Sequence, residues 1–291
     1  MLQSTQGPAH LRVLLARGGL LVAPGIYDGL SGRIAEAAGF TALYVSGGAI
    51  ARSMGYPDVG LVTQTEMVKR LEEIRAVTRL PLIVDADTGY GNALNVIRTV
   101  RAYERAGAAA LHLEDQLEPK RCGHYEGKQV VEVNEMRQKI QAALAAREHR
   151  DLLIIARTDA RAVLGLDAAI ERGNAYAVAG ADLIFVEAPQ SAEEIERIAH
   201  EVRAPLLINM FWGGKTPLVS ANRLAELGYR IMIVPSDLQR AAIRAMQRAA
   251  AVLRQQGNTA PIADEMVSFA ERESLVGLPE LEELQKRFLQ G

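Results

Sequence analysis

The sequence predicts a (β/α)₈ barrel, a closed ring of eight parallel strands with helices outside it, followed by a short helical extension. Eight short apolar runs recur along the chain, and each is continuous rather than alternating, as is typical of parallel strands buried on both faces. Amphipathic segments of helical period separate most of the runs. Eight such units in about 250 residues favour a closed barrel over an open doubly wound sheet, which remains the alternative.

The predicted strands and helices follow one another in a regular order. The strand runs are 20–23, 42–45, 81–84, 110–113, 152–156, 183–186, 205–208 and 230–234. Helical period is present at 30–38, 66–77, 93–106, 134–146, 167–179 and 192–202. Four helix ends carry a glycine that suits a C-cap, namely Gly39, Gly107, Gly180 and Gly228. We therefore predict one barrel domain over 1–257 and an extension over 258–291 that contains a helix at 279–289.

The composition is that of a globular protein, with 49% hydrophobic and 23% charged residues in a chain of 291. The formal net charge of −2 provides no basic field, so no nucleic-acid partner is expected. A single cysteine excludes a disulfide framework and a zinc site built from cysteines. The first residues lack the pattern of a secretory signal, and no run reaches the roughly 18 apolar residues of a membrane span. We therefore expect a cytoplasmic protein without a membrane partner.

The single cysteine, Cys122, lies in a stretch that combines charge with flexibility. Lys120 and Arg121 precede it, and their positive charge predicts a thiol that ionises more easily than a free one. Gly123 follows it and allows a ligand to come close, and His124 comes next. Prolines and glycines bracket the stretch, which predicts an exposed loop. A buried structural cysteine is the alternative, but the charged surroundings favour a functional one.

Polar residues stand at or just after the ends of the predicted strands, where a barrel carries its catalytic groups. They are Ser46, Asp85, Glu114, Arg157, Glu187 and Asn209, and the last strand is followed by the apolar Pro235. Single members would also be explained by helix capping or by pairing with one another. Asp85, Asp87 and Glu114 form a cluster of carboxylates that would repel one another without a cation. Oxygen ligands without a histidine or cysteine partner predict Mg²⁺, with Mn²⁺ as the other candidate.

Ser46, Gly47 and Gly48 follow the second strand, and we expect their backbone N–H groups to turn inward and hold a carboxylate. The alternation of a strand places His112 on the same face as Glu114 and one layer deeper, where a hydrogen-bonded core histidine is expected. The spacing of the glycines matches neither a dinucleotide-binding fingerprint nor a P-loop. Nucleotide binding is therefore not predicted.

Together these residues resemble the isocitrate lyase and phosphoenolpyruvate mutase superfamily over almost the whole chain. The segments that match are 24–28, 46–48, 85–92, 113–116, 120–124, 156–159, 209 and 213–217. The Lys-Arg-Cys-Gly-His sequence looks like the lyase branch, that of the 2-methylisocitrate and 2,3-dimethylmalate lyases, because the phosphonate-forming mutases lack this cysteine. The resemblance implies a Mg²⁺-dependent barrel that handles small 2-oxo and 2-hydroxy acids through an enolate. It also implies a homotetramer in which the C-terminal helices are exchanged between subunits.

The resemblance further implies a role for each residue of the site. Asp85 would hold the metal directly, with Asp87 and Glu114 acting through waters, and the amides of residues 46–48 would bind the substrate carboxylate. The loop over 120–128 would close over the site. The remaining residues of the pocket would be Asp58, Lys120, Gly123, His124, Arg157, Glu187, Asn209 and Arg240.

The reaction expected of such a site is the cleavage of a substituted malate, a di- or tricarboxylic acid. The metal would chelate the 2-hydroxyl and the C1 carboxylate and lower the pKa of the hydroxyl. Tyr44 would take that proton, and the C2–C3 bond would break to give a 2-oxo acid such as pyruvate. Cys122 would protonate the other fragment as a general acid, and Arg157 would stabilise the developing charge.

The residues after His124 predict which malate is cleaved. Residues 125–128 read Tyr-Glu-Gly-Lys, where methylisocitrate lyases typically carry Arg-Pro-Asn-Lys, so Glu126 would repel a third carboxylate. Tyr125, Phe211 and Trp212 would favour a methyl or alkyl group instead. We therefore predict a preference for 2,3-dimethylmalate or a similar alkyl-malate, although packing of Trp212 beneath the loop, away from the substrate, is the alternative.

Three alternative functions remain open for this chain. Oxaloacetate decarboxylation or hydrolysis would need the same metal and pocket. A carboxyphosphonoenolpyruvate or phosphoenolpyruvate phosphonomutase would need a phosphoryl pocket and no acid at position 122. A catalytically silent scaffold is the third, and the complete set of polar strand ends argues against it.

Overall fold

The structure is a computed structural model that describes residues 7–289. The strands are β1 (Leu21–Ile26), β2 (Leu43–Val45), β3 (Leu82–Asp85), β4 (Ala110–Glu114), β5 (Leu153–Thr158), β6 (Leu183–Val186), β7 (Leu206–Asn209) and β8 (Tyr229–Val234). The first helices are α1 (Pro8–Ala16), α2 (Gly29–Ala37), α3 (Gly47–Ser53), α4 (Gln64–Arg75), α5 (Ala93–Arg105), α6 (Val133–Ala146) and α7 (Ala160–Leu164). They are followed by α8 (Leu166–Val178), α9 (Ala192–Glu201), α10 (Ala221–Glu226), α11 (Asp237–Gln256), α12 (Phe269–Leu275) and α13 (Leu278–Leu289), with a 3₁₀ helix at Ala260–Glu265.

The eight strands close into a parallel barrel in sequence order, which confirms the predicted fold. Each strand pairs in parallel with its neighbour in sequence, and the ring closes where Leu21–Pro24 of β1 pair with Ile231–Val234 of β8. An open sheet would have left β1 and β8 unpaired with each other, so that alternative is wrong. All the carboxyl ends of the strands therefore meet at one mouth of the barrel.

Local signals in the sequence fix where the helices begin and end. Capping boxes start α2, α4 and α5, where the side chain of Asp28, Thr63 or Asn92 accepts from a backbone N–H of the first turn. The four glycines predicted as C-caps, at 39, 107, 180 and 228, have φ of +87°, +94°, +105° and +91°. Residues with a side chain rarely adopt such angles, so glycine is needed where each helix turns into the next strand.

The core has two layers, one inside the barrel and one between the barrel and its helices. Strand alternation sends Leu111 and Leu113 outward against the helices, whereas Ala110 faces the barrel interior. The interior layer also contains Tyr44, Ile83, Ile155, Phe185 and Leu207, and Leu11 of α1 belongs to it. His112 lies in the interior beside Tyr44 and Phe185, as the alternation predicts.

The C-terminal segment, α11 to α13, contributes few buried residues to this core. Of the 20 residues of α11 only Gln239 is buried, and none of the residues described for α12 and α13 is buried. The segment exposes a series of large apolar side chains, Met246, Leu253, Phe269, Leu281, Leu284 and Phe288.

The predicted domain boundary after residue 257 stays a prediction. Residues 1–6 and 290–291 of the two predicted domains lie outside the described residues. Within 7–289, no helix is long and apolar enough to cross a membrane.

Candidate active site

A cavity of about 330 Å³ opens at the mouth of the barrel and brings together most of the predicted residues. The predicted residues that line it are Tyr44, Ser46, Gly48, Asp58, Asp85, Lys120, Cys122, Gly123, His124, Arg157, Glu187, Asn209 and Arg240. A second cavity, of about 630 Å³, extends along α4 and α5 and reaches Asp87 and Lys120 from the other side. Neither Cys122 nor Arg157 lines it. We therefore place the active site in the smaller cavity.

Lys120 bridges two of the acids. Its Nζ lies 2.6 Å from Asp58 Oδ1 and 2.6 Å from Asp87 Oδ1, and all three side chains are buried. Burial opposes the charge of Lys120, but Asp87 and Asp58 outweigh it and raise its pKa well above the usual value. Burial likewise raises the pKa of Asp87 to about 6, although Lys120 lowers it. Asp58 and Asp87 together thus carry more negative charge than the single ammonium of Lys120 balances.

The three acids predicted to hold a metal provide only oxygen donors at this place. Asp85 lines the cavity, and its Oδ1 accepts the N–H of Asp87 at 3.1 Å. Glu114 lies deeper, and its Oε1 is buried without a hydrogen-bond partner among the described residues. No three acidic, histidine or cysteine residues within 7–289 are arranged to ligate one ion together. Carboxylate oxygens are the donors that a hard cation such as Mg²⁺ prefers, so the chemistry of this donor set fits such an ion.

Arg157 provides a fixed positive charge in the wall of the cavity. Its Nε and Nη2 donate to the two carboxylate oxygens of Asp159 at 2.9 and 3.1 Å, and its Nη1 lies 3.2 Å from Glu114 Oε2. Burial opposes its charge, but Asp159 and Glu114 raise the pKa of Arg157 well above its usual value. The guanidinium also lies 5.2 Å from the centre of the Phe185 ring. It is therefore held in one orientation and remains charged.

Glu187 and Asn209 form the neighbouring wall. Asn209 Nδ2 donates to Glu187 Oε1 at 3.3 Å, and His124 Nε2 lies 3.1 Å from the same oxygen. Burial opposes the charge of Glu187, but Arg157 and His124 lower its pKa to about 2. Glu187 Oε2 and Asn209 Oδ1 are buried and have no hydrogen-bond partner within the described part of the chain. These two oxygens are free to bind a hydroxyl or another donor group of a substrate.

The cysteine loop, residues 120–128, covers one side of the cavity. Lys120, Gly123 and Lys128 are buried and Cys122 is half-buried, so the prediction of an exposed loop holds only for Arg121 and residues 125–127. A Cβ at Gly123 would lie 2.5 Å from both Arg157 Nη2 and Glu187 Oε1. The loop backbone therefore packs directly on the two charged walls, as only glycine allows at this position.

The predicted easy ionisation of Cys122 is wrong. Burial raises the pKa of its thiol, and the negative charge of Asp58 raises it further. The ammonium of Lys120 is neutralised by its two carboxylates, and Arg121 is exposed to solvent, so neither cation favours a thiolate. Cys122 is consequently a protonated thiol on the wall of the cavity.

The predicted carboxylate-binding amides form the first turn of α3. Ser46 is its N-cap, and the N–H of Ser46 donates to the carbonyl of Ile26 at 3.1 Å, so this amide is already used within the barrel. Gly47 and Gly48 are the first two residues of the helix, and their N–H groups have no acceptor inside it. A Cβ at Gly47 would lie 2.7 Å from Asp85 Oδ2. The two glycines let the helix start directly against the acids.

Tyr44 does not suit the role of base that the sequence suggests. Its hydroxyl lies 2.8 Å from His112 Nε2 at the floor of the cavity. Burial, with Asp85 adding to it, raises the pKa of Tyr44 well above its usual value, which disfavours the phenolate. Burial lowers the pKa of His112 to about 3, so the ring is neutral. The pair forms a neutral, hydrogen-bonded floor.

A sequence profile of the family described as phosphoenolpyruvate phosphomutase matches residues 11–254. The chain belongs to this family. It is 45% identical over 284 residues to a 2,3-dimethylmalate lyase of Eubacterium barkeri, covering 97% of this chain and 98% of the relative. It is 46% identical over 272 residues to a 2-methylisocitrate lyase of Aeropyrum pernix, covering 94% and 88%. A structure of phosphonopyruvate hydrolase in complex with oxalate and Mg²⁺ matches with a TM-score of 0.89 at 32% identity, covering 97% and 99%.

Trp212 departs from the prediction for this member of the family. It is 69% exposed and does not line the cavity, whereas its neighbour Phe211 does. The backbone explains the orientation, because the N–H of Trp212 donates to Asp237 Oδ2 at 3.3 Å and its carbonyl accepts from Arg240 Nη1. These bonds hold the turn with Phe211 facing inward and in edge contact with His124. Trp212 therefore does not line the cavity, and Phe211 is the aromatic residue of this turn that does; the contact of Trp212 with substrate stays a prediction.

Sequence reasoning missed several residues of the wall. Arg52 lies in the cavity near Asp58 and Cys122, and it follows Gly48 by four residues, so both lie on one face of α3. That spacing is the one signal that would have found it. Gln239 donates to the carbonyl of Ala49 at 2.8 Å and joins α11 to α3. The other missed residues of the wall are Phe185, Ile233, Ser236 and Ile243, whereas Pro235 lies in the wall at the strand end where the sequence analysis put it.

Proposed function

We propose that this carbon–carbon lyase cleaves an alkyl-substituted malate of the 2,3-dimethylmalate type into pyruvate and a carboxylic acid. The observation that carries the proposal is that Cys122, a protonated thiol, and the fixed guanidinium of Arg157 line the same cavity, and that the residue after the thiol, Gly123, packs against Arg157. A thiol that holds its proton is suited to deliver it to a carbanion. A cation in the same cavity stabilises the negative charge of the enolate that is being protonated.

We propose that the site binds Mg²⁺, with Asp85 as the direct ligand and Asp87 and Glu114 holding its waters. The unpartnered Glu114 Oε1 and the raised pKa of Asp87 support a further cation beside Lys120. The Mg²⁺ in the related phosphonopyruvate hydrolase complex supports the choice of ion. When bound, the ion supplies Lewis-acid polarisation of the substrate hydroxyl and carboxylate.

The residues of the chain then bind, orient and protonate the substrate. The N–H groups of Gly47 and Gly48 receive one carboxylate, and Glu187 with Asn209 orients the polar groups opposite. As the 2-hydroxyl gives its proton to solvent water, the C2–C3 bond breaks, C2 becomes the carbonyl carbon of pyruvate, and the electron pair of the broken bond remains on C3. Cys122 gives its proton to C3, which completes the carboxylic acid, and the resulting thiolate regains a proton from solvent water before the next turnover.

The wall near the cysteine loop favours an alkyl group at C3. Phe211, Ile233, Pro235 and Ile243 line this cavity and provide apolar surface. Burying a single methyl group there contributes only about 1–3 kcal/mol of discrimination, so the preference should be moderate. The two relatives, at 45% and 46% identity, carry different substrate names, and identity alone therefore does not select between them.

A substrate of the 2-methylisocitrate type is the second candidate, and Arg240 favours it. This arginine lines the cavity with a side chain that is 48% exposed, and it would attract a third carboxylate. Its guanidinium already lies 3.5 Å from Asp237 Oδ1 and donates to the carbonyl of Trp212, which reduces its capacity for a further anion. For this reason we rank the alkyl-malate first.

Pyruvate release from the alkyl-malate in the presence of Mg²⁺ tests the reaction, and a parallel assay follows the disappearance of oxaloacetate, which detects both its decarboxylation and its hydrolysis. We expect pyruvate from the alkyl-malate, and a loss of about 10²–10⁴-fold in kcat for Cys122→Ser with substrate binding retained. Turnover of oxaloacetate alone, with Cys122→Ser as active as the wild type, would contradict the proposal. That result would favour the decarboxylase or hydrolase alternative.

We also propose that the chain forms a homotetramer in which α11–α13 pack on neighbouring subunits. The exposed apolar side chains of this segment support the assembly, because such surface is usually covered. Light scattering of the full chain should give four times the mass of the chain. Removal of residues 258–291 should lower the assembly state, and a monomeric full chain would contradict the proposal.

A further inference from the structure

We propose that Lys128 is a positioning residue that holds the cysteine loop closed by binding Asp159, the same carboxylate that orients Arg157. The inference deepens the proposed function and rests on it for the role of Cys122. It concerns the far end of the loop, whereas the near end is held by Lys120 between Asp58 and Asp87.

Lys128 makes its contacts inside the protein. Its Nζ donates to the carbonyl oxygen of Gly123 and lies 3.1 Å from Asp159 Oδ1. The side chains of Lys128 and Asp159 are 1% and 0% exposed. Gly123 directly follows Cys122, so the ammonium fixes the peptide unit next to the thiol.

Asp159 does not depend on the loop for its position. Its backbone N–H donates to Asp115 Oδ1 at 2.9 Å, and both of its carboxylate oxygens accept from Arg157. Asp115 is itself held by three buried side chains, Thr158 at 2.8 Å, Arg172 at 3.0 Å and Tyr176 at 2.8 Å. Asp159 is thus a fixed acceptor on the barrel, and Lys128 is the partner that arrives with the loop.

The charges make this contact specific to the closed loop. A buried ammonium is stable only where a carboxylate and further acceptors surround it, and Lys128 has both when Gly123 lies against Arg157. If the loop lifts, Lys128 returns to water and Asp159 keeps its two bonds to Arg157. Closure therefore places Cys122 and adds a second cation to the carboxylate that aligns Arg157.

The reactivity of the only cysteine in the chain provides a direct readout of loop position. The probe is 5,5′-dithiobis(2-nitrobenzoate), applied to the full-length enzyme, and the measured quantity is the second-order rate of thiol modification. We expect Lys128→Met, which keeps the length of the side chain but removes its charge, to raise this rate about tenfold or more, because a buried pair is lost. We expect Lys128→Arg to restore most of the protection.

Lys215→Met is the matched control. Lys215 pairs with Glu126 of the same loop, but the two side chains are 28% and 88% exposed, and such a pair contributes little. The rate of thiol modification in Lys215→Met should stay within about twofold of the wild-type rate.

In steady-state kinetics Lys128→Met should lose about tenfold or more in kcat, with a smaller change in KM, because an open loop displaces the proton donor more than the bound substrate.

An unchanged thiol rate in Lys128→Met would overturn the inference, whatever happens to its melting temperature. An equal increase in Lys215→Met would overturn it as well, because the loop would then respond to any lost ion pair. If Lys128→Met does not fold, Lys128→Gln, which retains a donor, provides the same comparison. A faster thiol rate in Lys128→Met together with a wild type that releases no pyruvate would support the closure role while refuting the proposed function.

Discussion

The contact between Gly123 and the charged wall gives a strong prediction for a single methyl group. In Gly123→Ala the new Cβ would lie 2.5 Å from Arg157 Nη2, 2.5 Å from Glu187 Oε1 and 2.6 Å from Glu187 Cδ. None of these atoms can move freely, because Arg157 is bound to Asp159 and Glu187 is bound to Asn209 and His124. The loop must therefore shift away from the wall.

The magnitude follows from the cost of overpacking. Inserting one methyl group into a tightly packed site costs about 1–3 kcal/mol, which corresponds to about 5- to 150-fold in kcat/KM when it acts on the closed state alone. Gly123 does not have a positive φ, so alanine causes no backbone strain of its own. The melting temperature should therefore change little, since the loop relieves the overlap by lifting.

The assay is kcat/KM for the alkyl-malate at saturating Mg²⁺, accompanied by the rate of thiol modification. Glu126→Ala is the control on the same loop, because its side chain is exposed and its ion pair with Lys215 should contribute little. If Gly123→Ala retains wild-type kcat/KM, the loop does not lie against Arg157 and Glu187 during catalysis. The placement of Cys122 would then need revision.

Three further predictions concern the thiol, the metal and the floor of the cavity. Burial raises the pKa of the Cys122 thiol, so the proton donor is lost only above the usual pH range of a cysteine. We therefore expect kcat to stay level through neutral pH and to fall only at alkaline pH. Absorbance of a thiolate at pH 7 would refute this prediction. Asp85→Ala should abolish Mg²⁺ binding measured by calorimetry, whereas Glu126→Ala, a change at an exposed residue, should leave the binding intact. Unchanged Mg²⁺ binding in Asp85→Ala would show that Asp85 is not part of the metal site. Tyr44→Phe should lose less than about tenfold in kcat, because the hydroxyl only hydrogen-bonds His112, and a loss of 10³-fold or more would restore the phenol as the base.

The fold could be predicted because its signals are local. Continuous apolar runs mark strands that are buried on both faces, and the glycines at 39, 107, 180 and 228 mark helix ends that need a positive φ. The carboxyl ends of the strands then define the mouth of the barrel without further information. Asp85, Glu114, Arg157, Glu187 and Asn209 were placed there for that reason.

Properties that depend on the direction of a side chain could not be predicted in this way. Lys120 precedes Cys122 by two residues, yet its charge is used by Asp58 and Asp87, so the thiol is not acidified. Phe211 and Trp212 are adjacent in sequence, but only Phe211 faces the cavity, because hydrogen bonds across the turn decide which of them does so. Such contacts come from distant parts of the chain and leave no local pattern.

Buried ion pairs are the other feature that the sequence conceals. Lys128 and Asp159 are 31 positions apart in sequence, and both residue types are usually exposed, so nothing in the pattern marks them as a pair. Arg52 carries a weak signal, its position one turn after Gly48 on α3. These groups become visible only once the barrel has closed.

The proposed specificity is tested most directly by kcat/KM for 2,3-dimethylmalate, 2-methylisocitrate and isocitrate. All three are measured at one Mg²⁺ concentration, from the rate at which pyruvate or another 2-oxo acid is released. We expect the highest kcat/KM for the alkyl-malate, by a moderate factor that corresponds to about 1–3 kcal/mol. A tenfold preference for 2-methylisocitrate would show that the cavity binds a third carboxylate, with Arg240 as the first candidate, and that the apolar wall does not set specificity. Absence of 2-oxo acid from all three malates would contradict the lyase assignment itself.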